Sequence, residues 1–501
     1  MAPRLATSSA RSGQAAQFLA FDLGAQSGRA ILGRLSSGIL DVAEIRRFVN
    51  EPLRQPDSLR WNADALWNEI RAGLDAAASV RLESVGIDSW GVDYTLLDDR
   101  GNLLENPYHY RDPRTRTAMA DVIDLVGRER IYETTGIQFH SINTLYQLHA
   151  ACRATPAVVG VARTLLTIAD YFNYRLTGRT CAEYTIASTT QCLDARTRAW
   201  AVDLLSEVGI PSRLFAPIVE PGTVIGPIAG DDRIAHAGTP VVATACHDTA
   251  SAFAAVRTGA GTAVLSSGTW SLLGAELSAP ILSAAARDAN FTNEGGTRGT
   301  IRFLKNISGL WLLEACRQSW EAAGRRDRYE DLLAAAADAP PFRSLVDPDC
   351  DEFLNPDDMP LAIDRYCRRT DQPAPHDPPA YTRAILESLA YKYRLVLESL
   401  ESLTGVRVEE IRVIGGGSRN RLLNQFTADA SGRRVVAGPV EATALGNIAV
   451  QMLATGVVGS LADARAIIER SFPVERYDPI AHDRWDAEYG RFRDYVEARR
   501  G

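Results

Sequence analysis

Lysine is almost absent from this chain of 501 residues, whose only two lysines are Lys305 and Lys392. Arginine therefore carries nearly all of the positive charge. The P-loop phosphate site has the pattern Gly-Lys-Ser/Thr, and here neither lysine follows a glycine. A nucleotide site of the P-loop type is excluded, so a nucleotide would have to be bound by another kind of loop.

Cysteine is scarce as well, since the seven cysteines are scattered and none forms a Cys-x-x-Cys pair. This excludes a disulfide framework and favours a reducing compartment, which we expect to be the cytoplasm, although pairing of Cys350 with Cys367 stays open. No segment approaches the roughly 18 consecutive apolar residues of a membrane helix. A net charge of −8 also argues against the basic face that nucleic acid requires. We therefore expect neither a membrane nor a nucleic acid as partner.

The composition, with 46% hydrophobic and 23% charged residues, is that of an ordinary globular protein. A single hydrophobic core stops growing beyond about 250–300 residues, so two domains are expected. Residues 1–16 contain two arginines and no acid, and they fit either an organelle transit peptide or a disordered start. Composition does not separate a monomer from a small homo-oligomer.

The stretch 241–255 changes from a strand-like to a helix-like pattern at His247 and Asp248. Open α/β sheets bind their ligands at the carboxyl ends of strands, so this pair is a candidate site. The Asp248 carboxylate could act as a general base. It could instead merely cap the following helix by accepting a hydrogen bond from the backbone amide of Ala250 or Ser251.

Two stretches, 17–35 and 261–275, share one pattern of an apolar strand, a turn of small residues and a second strand. In the first turn, Gly24 and Gly28 would let the backbone approach a phosphate, and Asp22 could hold a metal ion through water. An ordinary β-hairpin with an exposed aspartate fits equally well. The repetition predicts duplicated halves that face one cleft, with the boundary near residues 256–261.

Periodicity and composition also predict the elements outside the hairpins. Helices are expected at about 62–78, 164–178 and 379–403, a polar loop at 183–191 and irregular structure at 340–380. A further strand runs into Gly415-Gly-Gly417, but Asn420 occupies the third glycine position of Gly-x-Gly-x-x-Gly. This difference disfavours the dinucleotide-binding Rossmann fold.

Several segments resemble, in order and spacing across residues 17–480, the FGGY family of carbohydrate kinases. The segments that carry this resemblance are 21–29, 247–250, 266–271, 415–420 and 441–446. Further segments resemble the members that phosphorylate the ketose L-rhamnulose, namely 86–93, 110–112, 142–147, 185–191 and 293–296 with 304–306.

The resemblance implies an α/β chain with an actin-like (ribonuclease H-like) ATPase fold, in which duplicated halves surround a central cleft. The N-terminal domain, 17–257, would carry most of the sugar site and the first phosphate hairpin. The C-terminal domain, 258–485, would carry the second phosphate hairpin and the adenosine site. The implied reaction uses ATP and Mg²⁺ to phosphorylate the C1 hydroxyl of L-rhamnulose, giving L-rhamnulose 1-phosphate and ADP in L-rhamnose catabolism.

The resemblance also implies a role for each site residue, with Asp248 as the catalytic base and Asp22 as the metal ligand through water. One position departs from the family, because Glu314 stands where such kinases can carry Gln, and a carboxylate cannot donate a hydrogen bond to ATP. The implied ATP contacts are Ala25, Gln26, Ser27, Gly28, Arg29, Thr269, Glu314 and Gly416, and the implied sugar contacts are Gly91, His247, Asp248, Thr249 and Asn306.

Other functions are compatible with the same fold. The chain could phosphorylate another ketose, such as xylulose or fuculose, or it could be a non-catalytic sugar or nucleotide sensor. It could also be an ATPase whose output is motion. The retained Asp22 and Asp248 argue against a sensor, and the Trp90-Gly91 and Lys305-Asn306 segments argue against a motion-producing ATPase because they resemble a sugar site.

Overall fold

The computed structural model describes residues 15–230, 234–354 and 356–497. The start of the chain, for which a transit peptide or a disordered segment was expected at 1–16, lies almost wholly outside the described residues. The strands of the first half are β1 Ala16–Leu23, β2 Ser27–Ser36, β3 Ile39–Val49, β4 Leu53–Gln55, β5 Ser58–Arg60, β6 Ser84–Ser89, β7 Tyr94–Leu97, β8 Thr164–Thr167, β9 Ala182–Glu183, β10 Ile218–Val219, β11 Thr223–Pro227 and β12 Pro240–Ala243.

Within the described residues, the second half of the chain contains the remaining strands, and each half also contains nine α-helices. Its strands are β13 Thr262–Ser267, β14 Trp270–Leu277, β15 Thr292–Gly295, β16 Ile301–Ser308, β17 Glu410–Ile414, β18 Arg434–Ala437 and β19 Glu475–Tyr477. The helices of the first half are α1 Ala63–Ala76, α2 Ala118–Val126, α3 Arg128–Thr135, α4 Thr144–Ala154, α5 Pro156–Val161, α6 Ile168–Thr177, α7 Tyr184–Ser188, α8 Val202–Glu207 and α9 Asp248–Ala254. Those of the second half are α10 Ala284–Asp288, α11 Trp311–Ala322, α12 Tyr329–Asp338, α13 Met359–Arg369, α14 Pro378–Thr404, α15 Arg421–Ser431, α16 Ala442–Ala454, α17 Leu461–Ser471 and α18 His482–Glu497.

Two large sheets have the same strand topology. Sheet one has the order β3-β2-β1-β6-β12-β11, and sheet two has the order β16-β14-β13-β17-β18-β19 with β15 added beside β16. In each, an antiparallel meander is followed by two parallel strands and an antiparallel edge strand. The predicted hairpins are β1–β2 and β13–β14, which occupy equivalent places. The expectation of duplicated halves is therefore confirmed.

Local sequence explains where the predicted helices begin and end. Asn62 caps α1 by accepting the amide of Ala65, and α1 buries Leu66, Ile70 and Leu74 along one face. Helix α14 starts at Pro378 behind a capping Asp377 and ends at Gly405, which has a φ of 69°. Both predicted helices are confirmed to within a few residues.

Three predicted segments differ from the structure. The helix expected at 164–178 begins only at Ile168, because Thr164–Thr167 pairs as a strand with β7. The loop expected at 183–191 contains α7, whose amides at Thr185 and Ile186 donate to the Glu183 carboxylate. The segment 340–380 contains α13, since a proline near a helix start does not break the helix.

Helices α9 and α16 pack against each other between the two sheets. Their apolar side chains share one core with Phe18 of sheet one and Val264 of sheet two. A Cβ on Gly446 would lie 1.7 Å from the carbonyl oxygen of Ser251, so glycine is required for the close approach of the helices. Residues 255–261 connect α9 to β13.

The described part of the chain has no helix that is long and apolar enough to cross a membrane. None of the seven cysteines, each within the described ranges, forms a disulfide, so Cys350 and Cys367 do not pair.

Candidate active site between the sheets

Three aspartates lie at the carboxyl ends of the parallel strands of sheet one. Asp22 of β1 is in register with Asp88 of β6, and the amide of Ser89 donates to the carbonyl of Cys246 at 2.9 Å, which brings the His247-Asp248 segment to the same edge. We call Asp22, Asp88 and Asp248 the aspartate cluster. Asp88 was missed at the sequence level, although its place at the end of an apolar strand repeats that of Asp22.

Burial and mutual repulsion raise the pKa of two members of the aspartate cluster. For Asp22, burial is the largest cause, and the charges of Asp248 and Glu441 add to it, while Arg29 opposes the increase. For Asp88, burial and the charge of Asp22 raise the pKa well above its usual range. This edge of the sheet therefore holds more negative charge than its buried surroundings stabilise.

The polar partners of the cluster come largely from the second half of the chain. The Arg29 guanidinium joins Asp22 to Glu441, which precedes α16. Asn447 of α16 donates to Oδ2 of Asp88 at 2.6 Å, whereas Oδ1 of Asp88 is buried without a hydrogen-bond partner among the described residues. Glu441 and Asn447 were not predicted as site residues. Glu441 begins the family-like segment 441–446, and Asn447 directly follows that segment.

Asp248 is the first residue of α9 rather than its N-cap, a position that His247 occupies. Its Oδ1 atom accepts hydrogen bonds from the amide and, at 3.0 Å, from the hydroxyl of Thr249. The predicted capping bonds from Ala250 or Ser251 are therefore absent, because the amide of Ser251 donates to the carbonyl of His247 at 2.9 Å. The Asp248 side chain is 33% exposed.

Two side chains of sheet two lie beside the Nδ1 atom of the His247 ring. Its Nδ1 atom lies 3.1 Å from a terminal nitrogen of Arg302 and 3.4 Å from Oε2 of Glu294. Its Nε2 atom lies 3.4 Å from Oδ1 of Asp248. Sequence reasoning placed Glu294 in a family-like segment but did not identify Arg302, which follows it by eight positions.

The predicted sugar contacts Gly91 and Asn306 come from different halves of the chain. A Cβ on Gly91 would lie 2.8 Å from the Thr189 hydroxyl, so the segments 86–93 and 185–191 are in contact. Asn306 of β16 donates to Oε1 of Gln138 through its backbone amide at 3.0 Å and through its side chain at 3.2 Å. Residues of the first and second halves therefore meet here.

An aspartate that was not predicted organises the wall beside Gly91. The buried Asp93 accepts hydrogen bonds from the indoles of Trp61 at 2.6 Å and Trp90 at 2.9 Å, and from Gln147 at 3.0 Å. Burial raises its pKa to about 6, although these hydrogen bonds oppose the increase. Such a buried network rigidifies the segment that leads into Gly91.

The first hairpin turn contains the predicted ATP contacts Ala25, Gln26, Ser27 and Gly28. The turn is closed by a hydrogen bond of 3.0 Å from the amide of Gly24 to the carbonyl of Ser27. Gly28 is required for packing, since a Cβ there would lie 2.1 Å from the ring of Phe48. Packing therefore requires glycine at position 28 whether or not a ligand approaches there.

The remaining predicted ATP contacts surround the second hairpin turn. The carbonyl of Thr269 accepts the amides of Gly309 at 3.1 Å and Trp311 at 3.2 Å, which joins this turn to the start of α11. Gly416 is exposed in a loop that packs on Ser267, the last residue of β13. Glu314 of α11 is 44% exposed and pairs with Arg317 at 2.8 Å.

No group of three or more His, Cys, Asp or Glu side chains is arranged as a metal site within the residues that the structure describes. A dedicated cage of protein ligands is thus absent from that part of the chain. Magnesium commonly binds through one or two carboxylates together with substrate phosphates, which requires no such cage.

Comparisons with known proteins agree with this architecture. Models of the N-terminal and C-terminal domains of the FGGY family of carbohydrate kinases match residues 17–254 and 263–455. A rhamnulokinase of Bacteroides thetaiotaomicron is 46% identical over 484 residues, covering 96% of this chain and 99% of that protein. A rhamnulokinase of Pectobacterium carotovorum is 44% identical over 481 residues, covering 95% of each.

Solved structures give the same fold at lower identity. A gluconate kinase from Lactobacillus acidophilus matches with a TM-score of 0.80 at 18% identity, covering 97% of this chain and 98% of that one. Plasmodium falciparum glycerol kinase with ADP matches with a TM-score of 0.75 at 16% identity over 97% and 98% of the two chains. The chain therefore has the actin-like fold that was expected, and with both family models matched it belongs to the FGGY family of carbohydrate kinases.

Proposed function

We propose that this chain is a rhamnulokinase, which transfers the terminal phosphate of ATP to the C1 hydroxyl of L-rhamnulose and releases L-rhamnulose 1-phosphate and ADP. The observation that carries the proposal is 44–46% identity, over nearly the full length, to relatives that are rhamnulokinases. The same observation favours this reaction over a kinase for xylulose or fuculose and over a non-catalytic sensor.

Asp248 is the proposed catalytic base. Its Oδ1 atom is held by the amide and hydroxyl of Thr249, which leaves Oδ2 to accept the proton of the C1 hydroxyl. As this proton leaves, the sugar oxygen forms a bond to the terminal phosphorus of ATP. The bond from that phosphorus to the bridging oxygen breaks, and its electron pair stays on ADP.

The two hairpin turns are the proposed phosphate sites. Backbone amides at 25–28 and around Thr269 would donate to phosphate oxygens as positioned dipoles. Gly416 would lie beside the adenosine, and Arg29 is placed to compensate negative charge next to Asp22. The carboxylate of Glu314 already pairs with Arg317 at 2.8 Å, and a carboxylate cannot donate a hydrogen bond to ATP.

The aspartate cluster fits a magnesium ion. Asp88 has an unpartnered buried oxygen, and burial together with neighbouring negative charge raises the pKa of both Asp22 and Asp88, which a bound cation would oppose. We propose that Asp22, through water, and Asp88 hold the ion. When bound, it would neutralise charge on the phosphates.

Gly91, His247, Thr249 and Asn306 are the proposed sugar contacts, and residues 17–257 and 258–485 are the proposed closing domains. We further propose a cytoplasmic location, in keeping with seven cysteines that form no disulfide in the described ranges. The oligomeric state stays a prediction of monomer or small homo-oligomer.

The test is Asp248→Asn, measured as ADP release over a panel of ketoses. We expect turnover to fall by about two to four orders of magnitude, the usual contribution of a positioned base, with binding of a non-hydrolysable ATP analogue unchanged. The matched control is Asp75→Asn, an exposed carboxylate on α1, which should leave turnover unchanged. Near-normal turnover in Asp248→Asn would refute the base, and a better substrate than L-rhamnulose would refute the sugar.

A further inference from the structure

Arg302 is a fully buried arginine whose side chain has no exposed surface. Its Nε donates to the carbonyl of Gly295 at 2.9 Å, and Nη1 lies 3.1 Å from Oε2 of Glu294. Burial lowers the pKa of Arg302, and the charge of Glu294 opposes this effect. A charge is buried at this cost only where it is paired, and the third contact of Arg302 is His247.

The contact with Arg302 determines which nitrogen of His247 carries the proton. A guanidinium has no acceptor, so Nη2 can only donate, and at 3.1 Å it requires a lone pair on Nδ1. A proton on Nδ1 would point at Glu294, 3.4 Å away, but it would also face the donor on Arg302. The shorter contact therefore assigns the proton to Nε2 of a neutral ring.

A proton on Nε2 also agrees with the group that lies beside that nitrogen, which is the Asp248 carboxylate. Nε2 lies 3.4 Å from Oδ1 of Asp248, the oxygen that already accepts from Thr249. An N–H on Nε2 faces that carboxylate favourably, whereas a lone pair there would repel it. The His247 ring therefore contacts Arg302 through Nδ1 and faces Asp248, the proposed base, with Nε2.

We propose that Arg302 and Glu294 are positioning residues that hold His247 as the neutral, Nε2-protonated imidazole and thereby orient Asp248. His247 and Asp248 follow the last parallel strand of sheet one, whereas Arg302 and Glu294 lie on β16 and β15 of sheet two. The base is therefore fully oriented only when both halves are in contact. The kinetic part of this inference rests on the proposed function, but the tautomer does not.

The first test reads the tautomer directly. In protein labelled with ¹⁵N-histidine, long-range proton–nitrogen spectra distinguish an unprotonated Nδ1 from a protonated one, and His247→Gln identifies the signal. We expect Nδ1 of His247 to be unprotonated in the unaltered protein. A protonated Nδ1, whether in a neutral or a charged ring, would overturn the proposal whatever sugar the enzyme uses.

The second test is Arg302→Lys, which keeps a positive charge beside Glu294. The ammonium group of a lysine has all its donors on one nitrogen, so it cannot contact Gly295, Glu294 and His247 together. Nδ1 of His247 is then free to donate to Glu294. We expect the His247 signal to shift towards the Nδ1-protonated form and kcat to fall about 10- to 100-fold, as for other residues that orient a functional histidine. KM for ATP should not change.

The matched control is Arg383→Lys. Arg383 is also buried, pairs with Glu387 at 2.7 Å and lies on α14, away from His247. We expect it to lower the melting temperature as Arg302→Lys does, with kcat and the His247 signal unchanged. An equal loss of kcat in both variants, or a loss in Arg302→Lys with no change in the tautomer, would show that Arg302 is merely structural. If Arg302→Lys does not fold, the spectrum of the unaltered protein decides.

Discussion

Asp170, a buried carboxyl group away from the proposed reaction, should make the stability of this protein depend on pH. Its Oδ2 atom accepts from the hydroxyl of Thr167 at 2.7 Å, and its Oδ1 atom accepts from the amide of Glu183 at 3.1 Å. Burial raises the pKa of Asp170 from 3.8 to about 8, and the charge of Glu183 adds to the increase. The folded protein thus holds this proton more tightly than the unfolded chain does.

The direction of the pH dependence follows from that difference. The stabilisation is fully present below pH 3.8, where the unfolded chain is also protonated, and it is lost as the pH rises towards about 8. Each pKa unit is worth about 1.4 kcal/mol, so at pH 7 the loss amounts to about 4 kcal/mol. Asp170→Asn should avoid this loss because the asparagine side chain carries no charge. Its oxygen can accept from the amide of Glu183, and its NH2 group can donate to the hydroxyl oxygen of Thr167, which a hydroxyl group can present by rotating.

Calorimetric melting at several pH values measures the effect. We expect Asp170→Asn to melt with the unaltered protein near pH 4 and about 4–8 °C above it at pH 7, the lower value applying if all 501 residues unfold together. The exposed Asp75→Asn should not change the melting temperature at either pH. A destabilised Asp170→Asn at pH 7, or a difference that does not grow with pH, would refute the reasoning.

Three further predictions concern ligands. Asn306→Ala should weaken sugar binding, measured by calorimetry, because sugar hydroxyls lose a partner; unchanged affinity would remove Asn306 from the sugar site. Sugar with a non-hydrolysable ATP analogue should reduce the radius of gyration in small-angle scattering through a hinge near residues 256–261. An unchanged radius would contradict closure from an open state. A ketose epimeric at a bonded hydroxyl should lose far more kcat/KM than a 6-hydroxy analogue, since the methyl group contributes only about 1–3 kcal/mol; equal losses would contradict a hydrogen-bonded pocket.

Much of the fold could be predicted because it depends on neighbours in sequence. The hairpins β1–β2 and β13–β14 follow from alternating apolar residues around turns of small residues, and they occupy equivalent places in the two sheets. Helix α14 follows from a capping aspartate, a proline and a closing glycine. The short strand β8 was missed because its pairing with β7 joins segments about 70 positions apart.

Some residues of the candidate site could likewise be found from local sequence, and others could not. Asp22 and Asp248 could be found from sequence because Asp22 lies near the end of an apolar strand and Asp248 follows an apolar run after β12, which are properties of a few adjacent residues. Asp88 has the same local signal, but only the parallel register with β1 places it beside Asp22. The roles of Glu441 and Arg302 have no local signal, since their partners Arg29 and His247 come from the other half of the chain.

The sequence alone therefore determined the strand ends, the turns and the family, because hydrophobic period, glycine conformation and motif spacing are local properties. Tertiary structure decided which groups face His247 and how closely the carboxylates of the aspartate cluster lie to other negative charges. These depend on burial and on distances of a few ångströms between residues remote in sequence, where electrostatic interactions change steeply with separation. The sequence identifies the charged residues. Which of them are neighbours depends on how α16 and sheet two pack against sheet one.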